Sequence, residues 1–188
     1  ELFHNDVSKD VCRDIAYACR RYDMYGMYEH RDKVYVDGQK MDNELLAEMV
    51  RYFRSNGIFV GEDVDSDDFE FDKFCCWIPE DNKKVPEFRE YVSGNFDYID
   101  RGRDFCEIVP KGFSKATGIK YLLDYFDIPL ENAYAFGDGN NDAPMLLYCP
   151  NSIIMMKGPE ELKKQVMMVT DDAENDGIYN AMVKLGII

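Results

Sequence analysis

The chain has 188 residues, which is enough for one medium domain or two small ones. Its 22 Lys plus Arg and 37 Asp plus Glu give a formal net charge of −15 at pH 7, which argues against nucleic-acid and anionic-membrane partners because it repels phosphate backbones and lipid headgroups. No apolar run approaches the ~20 residues of a membrane-spanning helix, and the first residues lack the basic and apolar regions of a signal peptide.

The first part of the chain mixes helical and strand patterns. Apolar residues from Val11 to Cys19 recur on one face of a first helix, and a second amphipathic helix begins near Asp42 and ends at Asn56-Gly57. Alternating or continuous apolar runs predict five strands and a third, short helix. The strands are predicted at 24–29, 33–36, 69–78, 96–99 and 104–109, and the helix at 85–92.

After Pro110-Lys111-Gly112 the two patterns alternate regularly. Helices are predicted at 119–126, 140–148, 160–165 and 178–185, and strands at 132–136, 152–156 and 166–169. This alternation is typical of βα units that build a parallel sheet. We therefore place a boundary between two compact parts near residue 108.

The cysteines and histidines show no metal-site spacing. None of the six cysteines forms a C-x-x-C pair, and His4 and His30 complete no zinc set. Buried, reduced thiols in a cytoplasmic protein are therefore expected.

The strongest chemical motif is Gly137-Asp138-Gly139-Asn140-Asn141-Asp142, which follows an apolar strand and opens a helix. In a parallel sheet, ligands bind beyond the carboxyl ends of the strands, which is where Asp138 is expected. Carboxylate and amide oxygens gathered on one tight loop suit a hard cation such as Mg²⁺. Turns rich in Asp, Asn and Gly are common in proteins of every kind. In this chain a strand precedes the turn and a helix follows it, which favours a functional loop.

A second motif surrounds Lys115, which is predicted in the first turn of the helix that runs to Phe126. The positive end of the helix dipole disfavours a lysine there. A bound phosphate would resolve this conflict, because free N–H groups, the dipole and the ammonium all attract it. Together with the aspartate loop, Lys115 indicates a site for phosphate and magnesium.

The order and spacing of these motifs resemble those of haloacid dehalogenase-like (HAD) phosphatases of the Cof type, which carry a large C2-type cap. The stretch from Glu107 to Lys115 is similar to the family's third motif, residues 137–142 are similar to its fourth, and Asp176-Gly177 fits its closing stretch. The resemblance implies an α/β fold, in which a Rossmann-type, parallel-sheet core is joined to an α+β cap. Residues 1–6 would be a core remnant, 7–108 the cap, and 109–188 the C-terminal half of the core.

The resemblance also implies a role for each site residue. Lys115 would steady the nucleophile and the phosphate, and Asp142 would be a second catalytic residue. Asp138 would bind Mg²⁺, and Asn141 would serve as a further metal ligand and phosphate contact. The implied activity is Mg²⁺-dependent hydrolysis of small phosphorylated metabolites such as sugar phosphates, through an aspartyl-phosphate intermediate.

Two departures from the family pattern matter. In the family, the Asp-x-Asp nucleophile loop and a Ser/Thr motif precede the cap, and this chain begins too late to contain either. The Asp-x-Asp sequence that the chain does contain, Asp63-Val64-Asp65, lies inside the cap region. We therefore expect a fragment that is inactive alone and that pairs with the missing N-terminal core segment or with a second copy. In addition, Lys157 stands where similar proteins usually carry an asparagine.

Two other classes of function stay open at this point. One is a regulatory module that binds phosphate and Mg²⁺ on the same fold without catalysis. The other is a receiver-like domain, which is also acidic and binds Mg²⁺. A receiver's acids sit early in its chain, whereas Asp138 comes late, so the phosphatase interpretation is favoured.

Overall fold

The protein folds into two compact units, Glu1–Lys111 and Gly112–Ile188, in a computed structural model that describes residues 2, 4, 6–102 and 104–188. The division falls after Lys111, close to the boundary predicted near residue 108, because the last strand of the first unit continues to Pro110, which pairs with Phe96. Within the described ranges, no helix combines the length and the apolar composition needed to cross a bilayer.

The first unit contains three helices and six strands. The helices are α1 (Lys9–Arg21), α2 (Glu44–Ser55) and α3 (Val85–Val92). The strands are β1 (Tyr25–Glu29), β2 (Lys33–Val36), β3 (Phe59–Gly61), β4 (Lys73–Trp77), β5 (Phe96–Gly102) and β6 (Phe105–Pro110). They form one mixed sheet in the order β3-β2-β1-β4-β6-β5, in which β2 and β3 pair in parallel and the other pairs of the described residues are antiparallel.

Helices cover both faces of this sheet. Because successive strand residues point to opposite faces, Phe74 and Cys76 of β4 pack into one cluster with α1 and α3. Cys75 between them packs into a second cluster with Leu46 and Val50 of α2. All six cysteines of the chain are free and buried, as predicted.

The second unit has a smaller, parallel sheet. Its helices are α4 (Lys115–Phe126), α5 (Ala143–Tyr148), α6 (Glu160–Lys163) and α7 (Gly177–Lys184), and its strands are β7 (Tyr134–Gly137), β8 (Asn151–Met155) and β9 (Met168–Thr170). The strands lie in the order β7-β8-β9 with parallel register. The βα alternation therefore builds the α/β sheet that the sequence predicts.

Two details of the first unit differ from the sequence predictions. The strand predicted at 69–78 begins only at Lys73, because Phe69 and Phe71 are buried in the core without pairing into the sheet. Strand β3 is absent from the sequence prediction. The predicted core remnant 1–6 lies partly outside the described residues, and within it His4 contacts Asp72 of the first unit.

Candidate functional site

The candidate site lies where the three parallel strands of the second unit end. Asp138 follows β7, Lys157 follows β8, and Asp172 follows β9. All three line one cavity of about 500 Å³, together with Lys115, Asp142 and Glu174. Parallel register places the carboxyl ends of neighbouring strands at one edge of a sheet, so residues far apart in the sequence meet there.

The turn after β7 is built around the buried carboxylate of Asp142. Its Oδ2 accepts hydrogen bonds from the backbone N–H of Asp138 at 2.8 Å and of Gly139 at 3.2 Å. A Cβ atom at Gly137 would lie 2.7 Å from the Cβ of Asp142, which is closer than non-bonded carbons approach. Glycine at 137 therefore allows the carboxylate to reach under the turn.

Lys115 is held against the same carboxylate. The Ser114 Oγ accepts a hydrogen bond from Thr117 N at 3.2 Å, and Thr117 Oγ1 accepts one from Ser114 N at 2.9 Å, which is a capping box that fixes the first turn of α4. From this turn the Lys115 Nζ donates to Asp142 Oδ1 at 2.5 Å. An anionic partner at the helix start, expected from the dipole, is thus present within the protein itself.

The charge state of Asp142 follows from these contacts. Burial alone raises the pKa of the Asp142 carboxyl, because desolvation disfavours its charged form. The Lys115 ammonium and the two backbone N–H groups outweigh burial and hold this pKa below its usual value. Asp142 is therefore an ionised acceptor of three hydrogen bonds, while the Lys115 side chain stays 51% exposed and can meet a ligand in the cavity.

The opposite part of the cavity carries a second cation. Lys157 N donates to Asp172 Oδ1 at 2.8 Å, and its Nζ lies 3.3 Å from Glu174 Oε2 and 3.7 Å from Asp172 Oδ2. These carboxylates, Glu174 first, raise the pKa of the Lys157 ammonium. Lys157 thus remains a cation that lines the cavity.

The donors for a hard cation are oxygens. The Asp138 side chain is exposed to the cavity while its backbone N–H is held by Asp142. The neighbouring Asn141 is not among the described residues that line the cavity, and its Oδ1 points toward Gly139, where a Cβ would lie 2.8 Å away. The described lining contains carboxylates but no histidine or cysteine, so the donor set suits Mg²⁺ better than a softer metal.

The internal Asp-x-Asp sequence is used for other contacts. Asp63 Oδ1 accepts from Asp65 N at 2.9 Å, and Asp65 pairs with Tyr17 Oη at 2.6 Å and Arg20 Nη2 at 3.3 Å. Both acids belong to the first unit. Their contacts attach an irregular loop to α1, which is a structural task.

Sequence analysis did not predict Asp172 and Glu174 as cavity residues. The signal was available, because Asp172 follows β9 at the same edge at which Asp138 follows β7. The predicted strand 166–169 ends before Thr170, where β9 ends. The sequence prediction therefore did not indicate that Asp172 occupies a position equivalent to that of Asp138. Of the four predicted site residues, the structure brings Lys115, Asp138 and Asp142 to one cavity.

Comparisons with known proteins point to one family. A model of the haloacid dehalogenase-like hydrolases matches residues 1–182. The 5-amino-6-(5-phospho-D-ribitylamino)uracil phosphatase YitU of Bacillus subtilis is 26% identical over 191 residues, which cover 94% of this chain and 66% of that protein. The HMP-PP phosphatase of Yersinia pseudotuberculosis is 26% identical over 110 residues, which cover 56% of this chain and 40% of that phosphatase.

A solved structure shows the same fold. The HAD subclass IIB sugar phosphatase BT4131 superposes with a TM-score of 0.80 at 23% identity, over 100% of this chain and 70% of that one. The chain thus spans two-thirds or less of the length of the curated relatives named here, 66% of the first and 40% of the second.

Proposed function

This chain belongs to the haloacid dehalogenase-like hydrolases, and on that premise we propose that it is part of a Mg²⁺-dependent phosphatase. Its substrates would be phosphomonoesters of small metabolites such as sugar phosphates. The observation that carries the proposal is the single cavity at the strand ends of the second unit, where Asp138, Lys115 and the Asp142 carboxylate that holds Lys115 come together. The names of the relatives agree in kind, since YitU and BT4131 are both phosphatases of small phosphorylated molecules.

Lys115 is the residue that would bind the transferred phosphoryl group. Asp142 is only 4% exposed and fixes the ammonium from behind, so the half-exposed cation stays directed at the cavity. A positioned charge needs no reorganisation when negative charge develops on phosphoryl oxygens, which is the main source of electrostatic catalysis. Asp142 would act through Lys115 as a positioning residue.

Asp138 would hold the metal ion. Asn141 does not line the cavity and directs its Oδ1 toward Gly139, so it would join as an amide ligand only after its side chain turns. When bound, Mg²⁺ supplies positive charge to the non-bridging phosphate oxygens and helps to orient the ester. The exposed Asp138 carboxylate is free for this task because the turn is fixed through its backbone N–H rather than through its side chain.

We further propose that the nucleophilic carboxylate lies outside these 188 residues. In the cavity, Asp142 and Asp172 are already held by lysines and backbone N–H groups, and Asp63 and Asp65 are used in the first unit. Among the described residues β7 pairs only with β8, so the strand that leads to Asp138 has an open edge for a further core strand. The chain by itself would then be inactive, and its first unit would be the cap that selects the substrate.

Hydrolysis of p-nitrophenyl phosphate tests this proposal. The purified chain is expected to release no p-nitrophenol with or without Mg²⁺, whereas the same chain extended through its upstream coding sequence is expected to turn over with Mg²⁺. Asp138→Asn in the extended protein should abolish that turnover, and the exposed Asp97→Asn should not. Mg²⁺-dependent turnover by the chain alone would refute the external nucleophile.

A phosphate-binding regulatory module is the second candidate, because structural contacts already hold the carboxylates of Asp142, Asp172, Asp63 and Asp65. The same assay separates the two. An extended protein that binds inorganic phosphate with Mg²⁺ but hydrolyses no ester would contradict the phosphatase and support the module.

A further inference from the structure

The two histidines of the chain meet in the first unit. His4 precedes α1, His30 lies in the turn between β1 and β2, and Asp72 precedes β4. One ligand atom from each of these three residues lies within 4.8 Å of the other two. Sequence spacing predicts that His4 and His30 complete no zinc set, but the fold brings them together with a carboxylate.

Two of the three residues are fixed by the sheet. His30 N donates to Lys33 O at 2.9 Å across the hairpin turn, and Asp72 N donates to Glu29 O at 2.8 Å. His4 reaches this platform from the segment before α1, with its Nε2 at 3.1 Å from Asp72 Oδ1 and 3.0 Å from Asp6 Oδ1. The cluster therefore joins three separate parts of the chain.

The His30 ring contacts the His4 ring edge-on, with 6.0 Å between the ring centroids. Its Nδ1 is buried and has no hydrogen-bond partner among the described residues. Nδ1 lies 3.8 Å from Asp32 Oδ1, and Nε2 lies 3.8 Å from Glu70 Oε1; both distances are too long for a hydrogen bond. A buried imidazole nitrogen without a partner is costly, and a metal ion would satisfy it.

The surroundings are rich in negative charge. Asp6, Glu70 and Asp72 line a cleft of about 180 Å³ together with His30. Lys33 Nζ lies 3.2 Å from Glu70 Oε1, and Lys9, which also lines the cleft, donates to Asp67 O at 2.6 Å. Asp6 and Asp72 are the carboxylates that contact His4, and a divalent cation would bind between them.

We propose that His4, His30 and Asp72 bind one Zn²⁺-type transition-metal ion, with Asp6 as the fourth ligand. Two imidazoles and two carboxylates form the mixed donor set that zinc takes in a tetrahedron. Neighbouring ligand atoms in such a site lie about 3.4 Å apart, as expected from metal–ligand distances of about 2.1 Å. The contacts of His4, at 3.0 and 3.1 Å, are close to this spacing, and His30, whose ligand atom lies within 4.8 Å of those of His4 and Asp72, would move closer on binding.

The ion would attach the segment before α1 to the β1–β2 turn and to the start of β4. Its ligands would come from three separate segments, so binding should stabilise the folded first unit. The site draws only on residues of the first unit, so it stands or falls independently of the phosphatase proposal.

Titration calorimetry of metal-free protein with Zn²⁺ tests the site. The Asp138→Asn form of the chain is used, because this variant removes the loop carboxylate of the other candidate metal site. One equivalent is expected to bind, and excess Mg²⁺ should not displace it, since Mg²⁺ avoids imidazole. Co²⁺ in place of Zn²⁺ should give the visible absorption bands of a tetrahedral complex.

His30→Gln and Asp72→Asn should each weaken Zn²⁺ binding tenfold or more, while Asp97→Asn, an exposed acid in the same unit, should leave it unchanged. If a sheet variant misfolds by circular dichroism, His4→Gln gives the same test from outside the sheet. Absence of Zn²⁺ binding, or binding that His4→Gln and His30→Gln leave intact, would overturn the proposal.

Discussion

Replacing Gly137 by alanine is expected to disrupt the candidate site without changing any charge. The added Cβ would lie 2.7 Å from Asp142 Cβ and 3.0 Å from its Oδ2, whereas non-bonded carbons settle at about 3.5 Å or more. Asp142 must therefore move by about 1 Å. Such a shift breaks or weakens its 2.8 Å hydrogen bond from Asp138 N and its contact with Lys115.

The expected cost has two parts. Overpacking of a close contact costs about 1–3 kcal/mol, and weakening a hydrogen bond to a charged acceptor costs about 1.5–3 kcal/mol when it is lost entirely. We expect the free energy of unfolding of the second unit to fall by about 3 kcal/mol. Gly118→Ala is the matched control, because a Cβ there meets nothing within 4 Å and alanine stabilises a helix by about 0.5–1 kcal/mol over glycine.

Urea unfolding followed by circular dichroism measures the two variants, and amide hydrogen exchange locates the effect. Exchange at the Asp138 and Gly139 amides should accelerate in Gly137→Ala and stay unchanged in Gly118→Ala. If Gly137→Ala unfolds within about 0.5 kcal/mol of the parent, the range of a neutral surface change, and these amides keep their protection, the packing argument is refuted.

Three further predictions concern single contacts. Lys115→Met and Asp142→Asn should couple by about 1 kcal/mol in a double-mutant cycle of urea unfolding, and strictly additive effects would contradict a direct ion pair. Burial raises the pKa of Cys12 from 9.0 to about 11, so the stability that the neutral thiol supplies is complete below pH 9.0 and is lost as pH rises toward 11. Cys12→Ala should flatten this decline in pH-dependent unfolding, and an unchanged slope would argue against it. Arg20 donates two hydrogen bonds to the Asp37 carboxylate, which is 5% exposed. Asp37→Asn breaks this pairing and should lower the free energy of unfolding by about 2 kcal/mol. An unchanged thermal melt would show that the pair contributes little.

Local patterns predicted the parts of the fold that depend on local chemistry. The strand Lys33–Val36 and the helix Val85–Val92 have the predicted bounds. In each of them apolar residues recur regularly, and residues that typically end helices and strands lie on both sides. The prediction of Asp138 at a strand end rests on the same kind of local evidence. An apolar strand precedes this residue, and a glycine lies on each side of it. These features need no knowledge of distant residues.

Features that depend on distant pairing were not predictable in this way. Strand β3 has three residues and exists through its parallel pairing with β2, and no local period marks it. Phe69 and Phe71 alternate like a strand but are buried among other aromatic rings without joining the sheet. The meeting of His4 with His30 likewise requires the path of the whole first unit.

Binding of inorganic phosphate to the chain, followed by ³¹P NMR with and without Mg²⁺, tests the central claim most directly. The account predicts binding that requires Mg²⁺, that is lost in Lys115→Met and in Asp138→Asn, and that persists in His30→Gln. Binding that is independent of Mg²⁺, or that survives both substitutions in the cavity, would show that the strand ends of the second unit do not form the phosphate site.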